Sequence, residues 1–407
     1  MMRTNRLFIV SLLGFSSGLP FALLGGTLQA WFADAGLSVT QTGLLSLLGL
    51  PYVYRVFFAP LTDCQLPFAL GRRRTWMIGL QTLLLIGFYL LTCYHPRTTP
   101  HAMLWIAIGL SFCSAFQDVV IDAQRIEYLS TQDYGLGASL AVLGYRLALL
   151  VGGGGALIFA QYHGWVWTYR LLGCAMLIGL LAAWFSKEPT LPKTTHPQRL
   201  CWQDWVLPFK EWFARPYAWL GLGFIFSFKL GDMLTGSSSG IIIPFLYQGL
   251  GFSLATIGMI NKIGGICMLL IGGLFAGWLL RSVSLFRILL YSGILQAFSV
   301  LFFLALAMLG KQTWLLIIAV LVDNWVAGMS ATALTALLMR WVDQTFTATQ
   351  FSLLVAFTAL PRLFSGPFAA YLQSLLGWTG VYTCGFILAW LFLPILWRLR
   401  RIPMAWQ

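Results

Sequence analysis

Apolar residues run along this chain in about twelve long stretches separated by short polar turns. They lie at roughly 8–32, 41–62, 75–94, 102–124, 136–160, 166–185, 217–247, 253–280, 285–309, 312–340, 347–373 and 379–397. A helix crosses a bilayer with roughly 20 apolar residues, and each stretch is near that length. In hydrocarbon a backbone must satisfy its own hydrogen bonds, so the stretches predict membrane-spanning helices and an all-α integral membrane fold. They use most of the 407 residues, which leaves no room for a separate soluble domain. The one long polar segment, 186–216, is basic and Pro-rich and falls between the sixth and seventh stretches. The expected organisation is therefore a six-helix half over 1–185, a cytoplasmic linker over 186–216 and a second six-helix half over 217–407. Within the linker, Trp202, Trp205, Phe209, Trp212 and Phe213 recur at helical spacing beside Lys210 and Arg215. That pattern fits a short amphipathic helix on the membrane surface, and a disordered linker is the alternative.

Composition agrees with the pattern: 59% of residues are hydrophobic and 9% charged, where soluble domains carry about 25% charged residues. The net charge of +13 would suit nucleic acid if it were evenly spread. It is not. With the amino end inside, cytoplasmic segments receive Arg3, Arg6, Arg72, Arg73, Arg74, Arg125, Lys187, Lys193, Arg199, Lys210, Arg215, Arg281, Arg287, Arg340, Arg398, Arg400 and Arg401, while outer loops receive Arg97 and Lys311, with Arg170 near the outer edge of the sixth helix. This asymmetry is the positive-inside rule and predicts that both termini are cytoplasmic. The first stretch is too long for a signal peptide and is expected to be a permanent span. The seven cysteines are scattered without a C-x-x-C pair, so free thiols are expected, with no metal and no cofactor.

Charges inside the spans supply the candidate chemistry. Asp118, Asp122, Arg146, Lys229, Asp232, Lys262, Asp323 and Arg362 all fall at or near bilayer depth. Each costs about 2.5–3.5 kcal/mol on insertion scales, so such residues face a wet cavity or one another and mark solute or ion pathways. In the fourth stretch Ser111, Ser114, Asp118, Asp122 and Arg125 follow at steps of three or four, on one helix face. Two carboxylates one turn apart repel when both are ionised. A pair of this kind suits proton exchange, with Asp118 nearer mid-bilayer; alternatively both acids are locked in salt bridges, for instance with Arg146. Lys229 and Asp232 are i,i+3 neighbours that can neutralise each other. Lys262 and Arg362 have no same-helix partner, and Asp323 is the simplest one for either when no anionic ligand is bound. Short glycine runs, Gly152-Gly153-Gly154-Gly155, Gly264-Gly265, Gly272-Gly273 and Gly366 before Pro367, allow close packing or bending. Gln29 with Trp31, Tyr52 with Tyr54, and Trp325 next to Asp323 set aromatic faces beside polar groups, which suits a sugar-containing ligand.

Two kinds of motif carry a family resemblance. Ala59-Pro60-Leu61-Thr62-Asp63 followed by Gly71-Arg72-Arg73-Arg74 resembles the loop between the second and third helices of the major facilitator superfamily, where an acid and basic residues form a gating latch. More specifically, Gly14 to Pro20, Gly26 to Trp31, Phe112 to Ala123 including Gln117-Asp118, Val142 to Leu147, Lys229 to Asp232, Asn261-Lys262, Ser284 to Arg287 and Thr347 to Phe351 resemble the AmpG-type muropeptide permeases. The resemblance implies a twelve-helix fold in two halves, in a chain expected to be monomeric in the bacterial inner membrane. It further implies proton-coupled import by alternating access of GlcNAc-1,6-anhydro-MurNAc, with or without peptide, for peptidoglycan recycling, with consequences for β-lactamase induction. On that reading Asp118 and Asp122 couple protons. Gln29, Trp31, Tyr52, Gln117, Arg146, Lys229, Asp232, Lys262, Asp323 and Arg362 line the solute path, and Asp63 with Arg72, Arg73 and Arg74 gates it. Phe116 departs from the small polar residue usual at its position, and Asp323 from the usual glutamate. A carrier of another anionic solute, such as acetyl-CoA or a drug, is the alternative. A membrane transferase is disfavoured, because Asp118-x-x-x-Asp122 lacks the second acidic motif that two metals would need and no nucleophile motif occurs.

Overall fold

The computed structural model describes residues 2–37, 45–63, 70–188, 202–234, 242 and 245–403, and among these every regular element is helical. Among the described residues nine helices are long and apolar enough to cross a bilayer: Asn5–Phe32, Arg72–Leu91, Pro100–Tyr128, Thr131–His163, Trp165–Phe185, Met259–Leu279, Leu285–Leu309, Thr313–Trp341 and Tyr371–Arg400. Two shorter apolar helices, Ala218–Lys229 and Thr347–Pro361, accompany them. Together they answer every expected stretch except the second.

The second stretch departs from a single span for a local reason. Residues 45–63 form a 3-10 turn Leu45–Gly49, a short helix Leu50–Val53 opening on Pro51, a second 3-10 turn Tyr54–Phe57 and the short helix Ala59–Asp63 that contains Pro60. Proline lacks an N–H donor and clashes with the preceding turn, so two prolines nine residues apart divide an otherwise apolar run. The breaks present Tyr52, Arg55 and Asp63 to neighbouring helices. Between the eleventh and twelfth stretches, Gly377 at φ +66° interrupts the helical run Thr347–Leu388 where the sequence places a boundary.

The chain divides into two compact units, one of 1–130, 140–208 and 343–352, the other of 131–139, 209–342 and 353–407. In the first, the helices Met2–Ala22, Arg72–Leu91, Pro100–Tyr128 and Met176–Phe185 pack on one another around a core that includes Leu19, Leu84, Phe88 and Tyr169. A side chain at Gly144 would strike the Ser11 carbonyl, so the first and fifth helices meet there backbone to backbone. In the second unit the helices Gly265–Leu279, Leu285–Leu309 and Thr313–Trp341 pack together, and Phe245, Phe303, Leu316 and Tyr382 form a separate core.

Several spans contain wide π turns, at Leu23–Thr27, Leu150–Gly155, Phe245–Gly249 and Gly258–Gly264. Such turns disturb the regular ladder and leave carbonyls to be satisfied from outside it. Thr27 donates its hydroxyl to the Gly152 carbonyl at 2.6 Å, joining two π turns, and Tyr169 donates to the Leu23 carbonyl at 2.7 Å. In the linker, Trp202–Ala214 is helical with Pro208 inside it. Its Trp212 is fully buried against Tyr217 and Trp341, so that ring packs on protein and not on lipid.

Candidate functional site

The polar face of Pro100–Tyr128 lies within the first unit and meets the first helix and the broken 45–63 segment. Ser111 donates to the Leu48 carbonyl, and the Tyr52 hydroxyl donates to Ser114 Oγ at 2.7 Å. Gln117, fully buried, donates to the Ser16 carbonyl at 3.0 Å, and Ser17 donates to Asp118 Oδ1 at 2.5 Å. One turn further, Asp122 is bracketed by Arg125 at 2.9 Å and Arg55 at 3.3 Å. Phe21 stands edge-on to Tyr52, with Tyr145 beside it.

The two acids are therefore in different chemical situations. Asp122 is paired with two guanidiniums. Asp118 is 8% exposed, accepts a neutral hydroxyl, and has no cation within ion-pair distance among the described residues. No cation among the described residues depends on it for an ion pair. The sequence alternative locks both acids, with Arg146 as the example; among the described residues the ion pairs fall on Asp122, and the cations are Arg55 and Arg125. Arg146 itself is half-buried on Tyr134–Leu149.

A second polar cluster closes the same unit at the far end of Pro100–Tyr128. Arg73 is fully buried and touches Glu127 at 2.5 Å, Asp63 at 2.8 Å, the Thr62 carbonyl at 2.8 Å and Thr347 Oγ1 at 2.6 Å. Arg72 donates to the Asp63 carbonyl at 2.6 Å and pairs with Glu127 at 2.9 Å. The carboxylate of Asp63 in turn accepts the Ala348 amide at 3.1 Å and both the amide and the hydroxyl of Thr349, at 2.9 and 2.8 Å. Thr347 also donates to Glu127. Arg74 lies outside this cluster: it donates to the Trp184 carbonyl at 2.7 Å, and its backbone amide, like that of Arg73, is held by the Glu188 carboxylate. An acid at these free amides complements the positive end of Arg72–Leu91.

The other expected residues separate by environment. Trp31 is a core residue, 2% exposed and packed on Trp165 and Tyr169, while Gln29 on the same short helix is half-buried. Lys229 and Asp232 pair at 2.8 Å. Asp323 Oδ1, fully buried, accepts Gln296 Nε2 and Ser299 Oγ, each at 2.8 Å. The side chains of Lys262 and Arg362 lie outside the described residues, and with them the expected pairing to Asp323. Among the described residues no His, Cys, Asp and Glu group is arranged to hold a metal ion. The sequence reading missed Ser17, Arg55, Glu127, Thr347 and Thr349. Arg55 and Glu127 are ionisable residues inside or at the edge of apolar stretches, a signal that was present.

Residues 10–309 match the Major Facilitator Superfamily. The chain is 38% identical over 379 residues to the anhydromuropeptide permease of Escherichia coli, covering 92% of this chain and 75% of that one. A relative from Rickettsia felis that bears the AmpG name is 29% identical over 404 residues, with 97% of each chain covered. Among solved structures, the major facilitator transporter FucP superposes with a TM-score of 0.70 at 14% identity, over 97% of this chain and 98% of FucP, a likeness of fold. These relatives are transporters and not enzymes, and the chain, with its many apolar helices, is a multi-pass membrane transporter of the Major Facilitator Superfamily, of AmpG type.

Proposed function

We propose that the protein imports anhydromuropeptides, GlcNAc-1,6-anhydro-MurNAc with or without a stem peptide, across the bacterial inner membrane by proton symport and alternating access. The observation that carries the cargo is the 38% identity to the Escherichia coli anhydromuropeptide permease over nearly the whole chain. What supports proton coupling is the contrast between Asp118, which meets a hydroxyl, and Asp122, which meets two guanidiniums. Asp118 takes up the proton, and Asp122 stays paired with Arg55 and Arg125 one turn away. Tyr52 and the half-buried Gln29 offer polar contacts to sugar, and Arg146, Lys262 and Arg362 attract muramyl or peptide carboxylates. Trp31 contributes packing behind Gln29.

Gating falls to Asp63, Arg72 and Arg73, joined by Glu127, which grip the Thr347–Thr349 turn at the start of the eleventh helix. Release of that grip accompanies the change of access, and Arg74 serves as an anchor outside it. The moving parts are the halves 1–185 and 217–407, linked through 186–216, in a monomer with both termini cytoplasmic, an orientation supported by the skew of Lys and Arg toward one side. Counterflow of labelled anhydromuropeptide in proteoliposomes tests the cargo. Exchange that unlabelled anhydromuropeptide competes, and acetyl-CoA does not, is expected; no exchange by folded protein overturns the cargo.

A further inference from the structure

The basic loop of the second unit has a different fate from Arg72 and Arg73. Arg281 and Arg287 flank the turn between Gly265–Leu279 and Leu285–Leu309, and both are exposed on a cavity of about 920 Å³. Arg340, from the last turn of Thr313–Trp341, and Arg400, from the last turn of Phe392–Arg400, border the same cavity. No acidic side chain is among the described residues that line it. The positive end of Leu285–Leu309 also opens there, with no side-chain cap from Ser284. Four like charges around one opening repel each other and raise the local potential, which an anion relieves.

The surroundings identify the anion. The cavity sits where apolar membrane-length helices end, and its rim carries Tyr291 and Trp397, 56% and 47% exposed, aromatic residues of the type that settle at headgroup level. The Arg400 guanidinium lies over the Phe286 and Trp397 rings, 5.0 and 5.3 Å from their centroids, which holds it toward the rim. Below the rim, Trp278, Leu295 and Phe298 are exposed apolar surface on the same helices. A free phosphate would use the arginines and leave the aromatic rim and apolar face unused.

We infer that this cavity is a headgroup site for an anionic phospholipid, diphosphatidylglycerol above all, with its phosphates among Arg281, Arg287, Arg340 and Arg400 and its acyl chains along the apolar faces below. Two phosphodiesters can each meet two guanidiniums, the strong form of anion recognition. The inference depends on the membrane setting and not on the cargo, so failure of muropeptide counterflow leaves it intact.

The full-length chain, delipidated in detergent, is titrated with diphosphatidylglycerol and phosphatidylethanolamine, and bound lipid is counted by native mass spectrometry. Retention of diphosphatidylglycerol at least about tenfold above phosphatidylethanolamine is expected, with an apparent affinity about thirty-fold lower in Arg287→Gln/Arg400→Gln. A photoactivatable diphosphatidylglycerol on the unaltered protein, which needs no variant to fold, is expected to label peptides within 281–291 and 397–403. Labelling elsewhere, or equal retention by a monodisperse double variant, overturns the site. Displacement by millimolar pyrophosphate makes the occupant a soluble anion and overturns the lipid.

Discussion

The Arg73 guanidinium lies 2.5 Å from the Glu127 carboxylate, with both side chains sealed from solvent at 0% and 1% exposure. A buried pair of this kind stabilises little relative to apolar residues, but removing one partner leaves an uncompensated charge. Asp63 remains as a second acid beside Arg73, which softens the loss. Glu127→Gln is expected to destabilise the protein by about 3 kcal/mol, read as a lowered thermal midpoint in detergent. Arg74→Gln, whose side chain holds only a carbonyl outside the cluster, should cost less than about 1 kcal/mol. Equal losses would remove the distinction between the two arginines.

Arg55 and Arg125 share one carboxylate and should substitute for each other. Either single Gln variant keeps Asp122 paired and is expected to lower the melting temperature only slightly. The double variant leaves Asp122 without a cation and should lose more than the sum of the singles, by about 0.5–3 kcal/mol of coupling. Additive losses would mean that Asp122 does not depend on the pair.

The hydroxyls of Thr27 and Tyr169 serve carbonyls in the first π turn and the one it meets. Thr27→Val and Tyr169→Phe preserve shape and remove the donor, leaving a buried acceptor unsatisfied at about 1–3 kcal/mol each. Thermal unfolding of the two variants checks this, and an unchanged midpoint would show that water or another donor takes over.

Asp323 is held through Oδ1 by Gln296 and Ser299, an arrangement that Asp323→Asn can keep. If its charge serves Lys262, Arg362 or the solute, uptake falls while the melting temperature stays within the equivalent of about 1 kcal/mol. That is the expected result. A joint fall of stability and uptake would make the residue structural.

Much of the fold was legible because a bilayer leaves few options. Apolar stretches of span length give the helices and their order, and Gly377 falls where a helix boundary was expected. The second stretch misled because hydrophobicity measures burial and not continuity; Pro51 and Pro60 carried the missing information. At the site, the steps from Ser111 to Arg125 gave the polar face correctly, since helical periodicity is local. The partners on other elements, Ser17, Arg55 and the Thr347–Thr349 turn, could not be paired from spacing alone. Trp31 shows the same limit in reverse: an aromatic beside a glutamine resembles a sugar platform, and only its contacts with Trp165 and Tyr169 place it in the core.

On the proposed mechanism Asp118 couples cargo to protons. Uptake of labelled anhydromuropeptide into proteoliposomes with and without an imposed pH gradient, comparing the unaltered protein with Asp118→Asn, measures that coupling. Asparagine still accepts from Ser17 but cannot exchange a proton. Gradient-driven accumulation is expected from the unaltered protein and none from the variant, which retains counterflow of the same ligand. Accumulation by Asp118→Asn equal to that of the unaltered protein would contradict it.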